Sequence, residues 1–391
     1  MRWYPAIWSP LLGCIIQDID DITHIVPEAE RDVVILEEPE HLNWYHHGRR
    51  WTDVYRHVVG IAHTNYLQYA RFDNNGVVKS GIAKEAFTKV MNDIVCGAYT
   101  DVVVKLSATL PDVPANNLVC NVHGVRAEFL AIGAAITERD AGAYFLGKAM
   151  YTKGYREMID ALNNYRSNGA GDGERIPLPD IDTYGSGVDY DDIVAEIDAC
   201  GLPITPHAAI DHAHPAMHGY RVFVNPSTSD VLCTATAEAL AMGKKVVIPD
   251  HPSNTFFKQF TNTYMYSDPA ELVPLLAEAL AEEPTPMAPM EVYALSWEAA
   301  SERLLDAAAL PAGTKRTCDT AASTLAYYTH YAMGVQPVFD VFRTVTGAGP
   351  KVPWSERFDR RALKVGGERA SRGMSGATGS GQSSGDEREK S

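Results

Sequence analysis

The stretch Asp230-Val231-Leu232-Cys233-Thr234-Ala235-Thr236-Ala237-Glu238-Ala239-Leu240-Ala241-Met242-Gly243 sets two carboxylates eight positions apart across an apolar, helix-forming run. It closes in Gly243, a helix terminator, and then enters the strand pattern Lys245-Val246-Val247-Ile248-Pro249. Ser229 or Asp230 reads as the helix cap, which puts Asp230 at the helix start, where unpaired amides and the helix dipole attract an anion. Glu238 then lies two turns on, roughly 12 Å up the axis at ~1.5 Å per residue. That span matches a sugar-phosphate unit, so the helix suits a nucleotide sugar, with hydroxyls on its carboxylates and phosphates at its N-terminus. The same two acids also read as solvated positions of an ordinary surface helix.

Outward from this stretch the pattern repeats. Asp32 to Leu36, His57 to His63, Val102 to Leu106, Leu118 to Val122, Ala143 to Leu146, Ile181 to Tyr184 and Arg221 to Val224 are short apolar runs of the kind buried in parallel sheets. Helical periodicity lies between them at 82–99, 155–165, 189–200 and 234–242. Strand–helix alternation of this kind predicts an α/β protein built as two doubly wound domains with a ligand cleft between them. The expected boundaries are a first domain over 1–135, a second over 136–310, a helical extension over 311–350 and a disordered low-complexity tail over 351–391. Residues 285–309 read as helix, and Ala321 to Thr346 as one amphipathic helix carrying Tyr327, Tyr328, Tyr331 and Phe339. That last helix either touches a bilayer or braces the first domain.

With 391 residues, 46% of them hydrophobic, the chain can bury two cores. A net charge of −16 argues against a broad nucleic-acid-binding face. Six scattered cysteines form no C-x-x-C pair and read as reduced thiols. The most apolar N-terminal run, Pro5 to Ile16, is short and broken by Pro10, so any membrane role is expected to be peripheral.

Further residues carry chemistry. In Gly147-Lys148-Ala149-Met150-Tyr151-Thr152-Lys153-Gly154, between a strand and a helix, two lysines can meet a diphosphate; an exposed turn with two solvated lysines reads alike. His63, at a strand end, can orient a sugar hydroxyl or serve as a satisfied structural histidine. The stretch Glu37 to Trp51 is dense in hydrogen-bonding and aromatic groups and suits sugar recognition, through Glu40, His41, His46 and His47, or packing at the domain edge. Gly185-Ser186-Gly187 either lets backbone approach a ligand or is a turn. His207, Asp211, His212, His214 and His218 cluster without metal-binding helical spacing, so no metal is expected.

Taken together, these residues resemble the retaining two-domain glycosyltransferases of the GT-B fold, which carry Glu-x7-Glu, a basic pair after the first strand of the second domain and a late Ser-Trp-Glu, here Ser296-Trp297-Glu298. The first acid is Asp230 in place of Glu. Leu36 to Gly48, Val59 to Leu67, Val119 to Val125, Asn225 to Glu238 and Asp250 to Asn254 are similar to the digalactosyldiacylglycerol synthases of plants and algae, in which Asp is the usual first acid. The resemblance covers roughly 32–310, and more weakly 325–345. It implies two Rossmann-like domains, the first incomplete at its N-terminus. It also implies transfer of galactose from UDP-galactose to monogalactosyldiacylglycerol with retention, peripherally at the chloroplast envelope, without a cofactor or metal. By position it places Glu238 on the donor ribose, Asp230 near the donor sugar and diphosphate, Lys148 and Lys153 on the diphosphate, and His63 facing the transferred sugar or acceptor. A GT-B transferase with another donor or acceptor, or a non-catalytic relative that binds nucleotide sugars, fits the same motifs.

Overall fold

The computed structural model describes residues 2–9, 14–17, 21–44, 46, 48–72, 80–136, 138–139, 141–168, 176–309 and 319–335. His47, the loop at 169–173, the expected tail and most of the expected extension lie outside the described residues. An antiparallel hairpin of β1 (Ala6–Ser9) and β2 (Cys14–Gln17) comes first. The first domain then runs β3 (Val33–Glu37), α1 (Pro39–Trp44), α2 (Trp51–Val54), β4 (His57–Ala62), α3 (Tyr66–Phe72), α4 (Gly81–Tyr99), β5 (Val102–Lys105), β6 (Asn116–Val119) and α5 (Ala127–Ala135). Among the described residues its strands form one parallel sheet in the order β3-β4-β5-β6. Val58, Val59, Val102, Val103 and Val104 are almost wholly buried, as strands covered by helices on both faces must be.

The second domain alternates β7 (Ala141–Leu146), α6 (Tyr155–Asn168), β8 (Ile181–Tyr184), α7 (Tyr190–Cys200), β9 (Ile204–His207), β10 (Tyr220–Val224), α8 (Thr234–Ala241), β11 (Lys245–Pro249), β12 (Thr263–Tyr266) and α9 (Leu272–Ala281). Its strands are parallel in the order β12-β11-β10-β7-β8-β9. Counted from β7, that is the doubly wound order 3-2-1-4-5-6 read across the sheet, with its switch point between β7 and β10. One core packs α6, α7 and α9 on one face through Met158, Ile159, Leu162, Ile193 and Leu276. A second lies under α8, around Tyr144, Phe223, Leu240 and Phe257.

Three expectations change. The helix expected over 285–309 is two helices, α10 (Pro289–Leu295) and α11 (Trp297–Ala308), because Ser296 accepts a hydrogen bond from Ala299 N and restarts the helix as its cap. The helix expected from Ser229 or Asp230 begins later: Cys233 is the N-cap of α8, and Asp230 stands in the preceding loop. The axial separation of two acids on one helix therefore does not apply. Thirdly, α5, on the near side of the boundary expected at 135, packs its buried Phe129 into the core beneath α8, so by packing it belongs to the second sheet. α12 (Ala321–Val335) returns to the first domain and lies on α4, where His330 Nδ1 is 3.0 Å from the Tyr99 hydroxyl.

Candidate active site between the two sheets

The switch point of the second sheet fixes where two loops meet. The loop after β7 carries Lys153 and the loop after β10 carries Asp230, and Lys153 Nζ lies 2.8 Å from Asp230 Oδ1. Asn225, Ser227 and Ser229 shape the second loop through their own turns: Ser227 N donates to Asn225 Oδ1 at 3.2 Å and Ser229 N to Ser227 Oγ at 3.3 Å. The Ser229 hydroxyl then donates to Thr152 O and ties the loops together. Gly154, at φ +101°, lets the first loop turn into α6 with a Cβ position only 3.1 Å from Ser227 N. Burial works against the charge on Lys153, but Asp230 outweighs it and holds the ammonium above its ordinary range.

These loops form one wall of a cleft of about 620 Å³. The other wall comes from the first domain: Glu37 at the end of β3, His63 and Asn65 after β4, and His123 after β6; Trp297 and Ser301 of α11 close one side. Glu37 holds His63 above its usual range, against burial and with help from Glu38; the ring nitrogens lie 3.5 Å from Glu37 and 3.4 Å from Glu38. Glu38 itself sits at φ +49°, a conformation that non-glycine residues seldom adopt, with Thr64 and Tyr66 donating their hydroxyls to its two oxygens. Past His63 a side lobe of about 240 Å³ opens under the hairpin, between Gln17, Glu37, Glu38 and His41. Both polar atoms of the Gln17 amide are buried there without a hydrogen-bond partner among the described residues.

Asp230, Lys153 and His63 are thus brought together across the cleft. Glu238 stands one turn beyond the cleft-lining Thr234, with Oε2 2.8 Å from His212 Nδ1. Lys148 is exposed at the head of its loop and outside the cleft lining. His41 half-lines the side lobe and stacks on Tyr66. Glu40 and His46 are corrections. Glu40 is 5% exposed, and His46 is wholly buried with Nε2 2.8 Å from Arg49 O and its ring against Trp51 and Tyr99. Both therefore lie within the packing of the first domain and outside the cleft lining. The Gly185-Ser186-Gly187 turn packs on backbone, with Gly147 N donating to Tyr184 O and Ala149 N to Ser186 O at 3.0 Å each. The histidine cluster is dispersed among separate partners. His207 pairs with Asp182, His212 with Glu238, His218 with Ala213 O, and His214 caps the turn at Ala216. Among the described residues no group of three or more His, Cys, Asp or Glu is placed to hold a metal ion.

No protein-family model matches the chain. Digalactosyldiacylglycerol synthase 1, chloroplastic, of Lotus japonicus is 45% identical over 314 residues, which are 78% of this chain and 38% of that protein. Digalactosyldiacylglycerol synthase 2, chloroplastic, of Glycine max is 39% identical over 373 residues, 90% of this chain and 77% of that protein. The chain belongs to the digalactosyldiacylglycerol synthase family. It spans 38% of the length of the type 1 relative. Among solved structures, a UDP-forming α,α-trehalose-phosphate synthase from Burkholderia xenovorans superposes with a TM-score of 0.50 at 11% identity, over 73% of this chain and 76% of that one. That likeness shows the fold, two Rossmann-like domains in the GT-B arrangement. In this member of the digalactosyldiacylglycerol synthase family, Glu37 and Glu38 open the stretch that reads as suited to sugar recognition, but the sequence singles out neither of them, nor His123, as part of the cleft and its margin. Glu37 and Glu38 end a strand on the sheet's C-terminal edge, which was the available signal. His123, just past the apolar run 118–122, carries the same mark.

Proposed function

We propose that this chain is a galactosyltransferase that moves galactose from UDP-galactose to monogalactosyldiacylglycerol with retention of configuration, forming digalactosyldiacylglycerol. The observation that carries the reading is the convergence of Lys153 and Asp230 at the switch point of the second sheet, opposite His63 of the first. Ligands of doubly wound sheets sit at that point, and membership of the digalactosyldiacylglycerol synthase family supplies the substrate class.

In this reading the diphosphate competes with Asp230 for Lys153, which then stabilises the negative charge that grows as the sugar–phosphate bond breaks. Lys148 meets the diphosphate from the solvent side. Asp230 accepts from a donor-sugar hydroxyl and lies near the positive charge on the ring. Glu238 takes the ribose. His63, biased toward its charged form by Glu37, is a hydrogen-bond donor to the acceptor or transferred sugar and is poorly suited to be a base. The departing phosphate oxygen takes the acceptor hydroxyl's proton as the new bond forms on the same face of the ring. Lysine and backbone amides supply the positive charge, so no metal enters the scheme. The acceptor headgroup enters past His63 toward the lobe that holds Gln17 and His41.

The site of action is peripheral, at the chloroplast envelope and on its outer membrane. The relatives' names print "chloroplastic", and among the described residues no helix is long and apolar enough to cross a membrane. The test is transfer from labelled UDP-galactose to monogalactosyldiacylglycerol in mixed micelles, with UDP-glucose as the competing donor. Digalactolipid from the parent, absent in Asp230→Ala and Glu238→Ala, supports the reading. A folded parent that binds UDP and forms no product overturns it in favour of a non-catalytic relative.

A further inference from the structure

Behind the cleft wall, three side chains form a line that ends on Glu238. Glu238 Oε2 lies 2.8 Å from His212 Nδ1, and His212 Nε2 lies 2.6 Å from the Tyr144 hydroxyl. Tyr144 is fully buried on β7 and His212 is 5% exposed, with Phe129, Tyr220 and Phe223 packed around the pair. Among the described residues the Tyr144 hydroxyl makes no other hydrogen bond. Its proton therefore has one acceptor, His212 Nε2; a ring that donated from that nitrogen would leave the tyrosine proton unpaired in an apolar site. With Nε2 accepting, Nδ1 carries the ring proton and donates to Glu238, which fixes the tautomer from the buried end of the line. Glu238 keeps its other oxygen free of protein hydrogen bonds among the described residues, on a side chain 23% exposed. The carboxylate is pinned through one oxygen and presented through the other.

We propose that His212 is a positioning residue that, held by Tyr144, aims the Glu238 carboxylate at the vicinal diol of a nucleoside-diphosphate ribose and thereby sets selectivity for ribose over deoxyribose. This rests on the donor-site reading of Glu238. A carboxylate free to rotate meets a diol in few of its rotamers, whereas one already hydrogen-bonded loses little on binding. The relay thus changes the reward for each ribose hydroxyl more than it changes contacts to the base or phosphates.

The experiment is calorimetric titration of the full chain with UDP and with 2′-deoxy-UDP. The parent should prefer UDP roughly tenfold, as expected for one hydrogen bond to a charged group. In His212→Leu the preference should fall toward unity. In His212→Asn, whose side-chain amide stands where Nδ1 stands, it should return. His212→Leu combined with Glu238→Ala should bind UDP no worse than Glu238→Ala alone. A histidine that only packs the core would lower thermal stability and leave the UDP to 2′-deoxy-UDP ratio as in the parent, and that result overturns the proposal. Should His212→Leu not fold, Tyr144→Phe carries the same test, since it removes only the hydroxyl that fixes the tautomer. A parent that binds UDP and 2′-deoxy-UDP equally overturns the ribose assignment of Glu238 and the relay with it. A parent that binds neither overturns the donor-site reading as a whole. An unchanged ratio in the variants of a selective parent sinks the relay alone.

Discussion

Glu40 lies on α1 with 5% of its surface exposed, and its Oε2 has no hydrogen-bond partner among the described residues. Burial, with a smaller push from Glu38, raises its carboxyl from 4.5 to about 7. Folding then takes up a proton between those values, so the stability it contributes is whole below the unfolded value and lost as pH rises through the folded one. Glu40→Gln, neutral at every pH, should gain on the parent as pH rises from about 5 to about 8, by a difference of up to about 3 kcal/mol. Urea midpoints at the two pH values measure it, and an equal gap at both would show that Glu40 is not buried as an acid. Across the cleft the consequence is kinetic. Lys153→Met and Asp230→Asn should each cut transfer by about 100-fold or more with little change in melting temperature, because the pair sits in loops outside both cores. Product formation against thermal melts separates the two effects; parental turnover in either variant would remove that residue from the donor site.

α12 shows what polar groups contribute on a helix face that buries Ser323 and His330 alongside Met333. Ser323, 3% exposed, accepts from Arg50 and donates to Gly97 O, while Tyr327 packs edge-on against Tyr99 at 5.9 Å. Through these contacts the helix braces the first domain. Ser323→Val should cost about 1–3 kcal/mol, the price of leaving buried polar groups unpaired. Tyr328→Ser, at a side chain 63% exposed, should stay within about 0.5 kcal/mol. Denaturant unfolding of the two variants checks both, and equal losses would mean that the helix docks by its apolar residues instead. The central strands of each sheet were legible because they are covered on both faces and read as unbroken apolar runs. Within the second sheet, the strands absent from the sequence reading, β9 and β12, are its two edges. An edge is covered less and tolerates residues such as Pro206, so the apolar run that marks a strand is diluted. The acid pair was legible as a motif but misplaced as geometry. Nothing in the composition of 225–233 reveals that Asn225, Ser227 and Ser229 spend their side chains on local turns, which delays the helix to Cys233. The His212 contact to Glu238 joins residues 26 positions apart, a distance at which no spacing rule operates.

At the scale of the molecule, the two domains share α11. It follows the second domain in sequence, yet Leu304, Ala307 and Ala308 pack on Val59, Ile61 and Val104 of the first sheet. Arg303 Nε donates to Asn121 O at 2.7 Å, and His57 Nε2 lies 2.7 Å from Ala308 O. Where the chain crosses, a Cβ on Gly124 would meet Trp297 Cα at 2.5 Å and Trp297 N at 2.6 Å, backbone atoms that cannot step aside. Gly124→Val should therefore lower the thermal midpoint by roughly 2–4 °C for each kcal/mol of strain and weaken UDP binding, because α11 also forms one side of the cleft. A parental midpoint with parental affinity would show that the crossing yields freely. The outward pass through 120–126 and the return at 295–297 run side by side, Val125 N donating to Leu295 O at 2.8 Å. The halves are therefore joined by a two-ply strap, not a single thread. A protease nick in 120–126 should leave a molecule that travels whole on a native gel and splits only in denaturant. Such a strap folds across its width far more readily than it twists, which gives the cleft one direction in which to open.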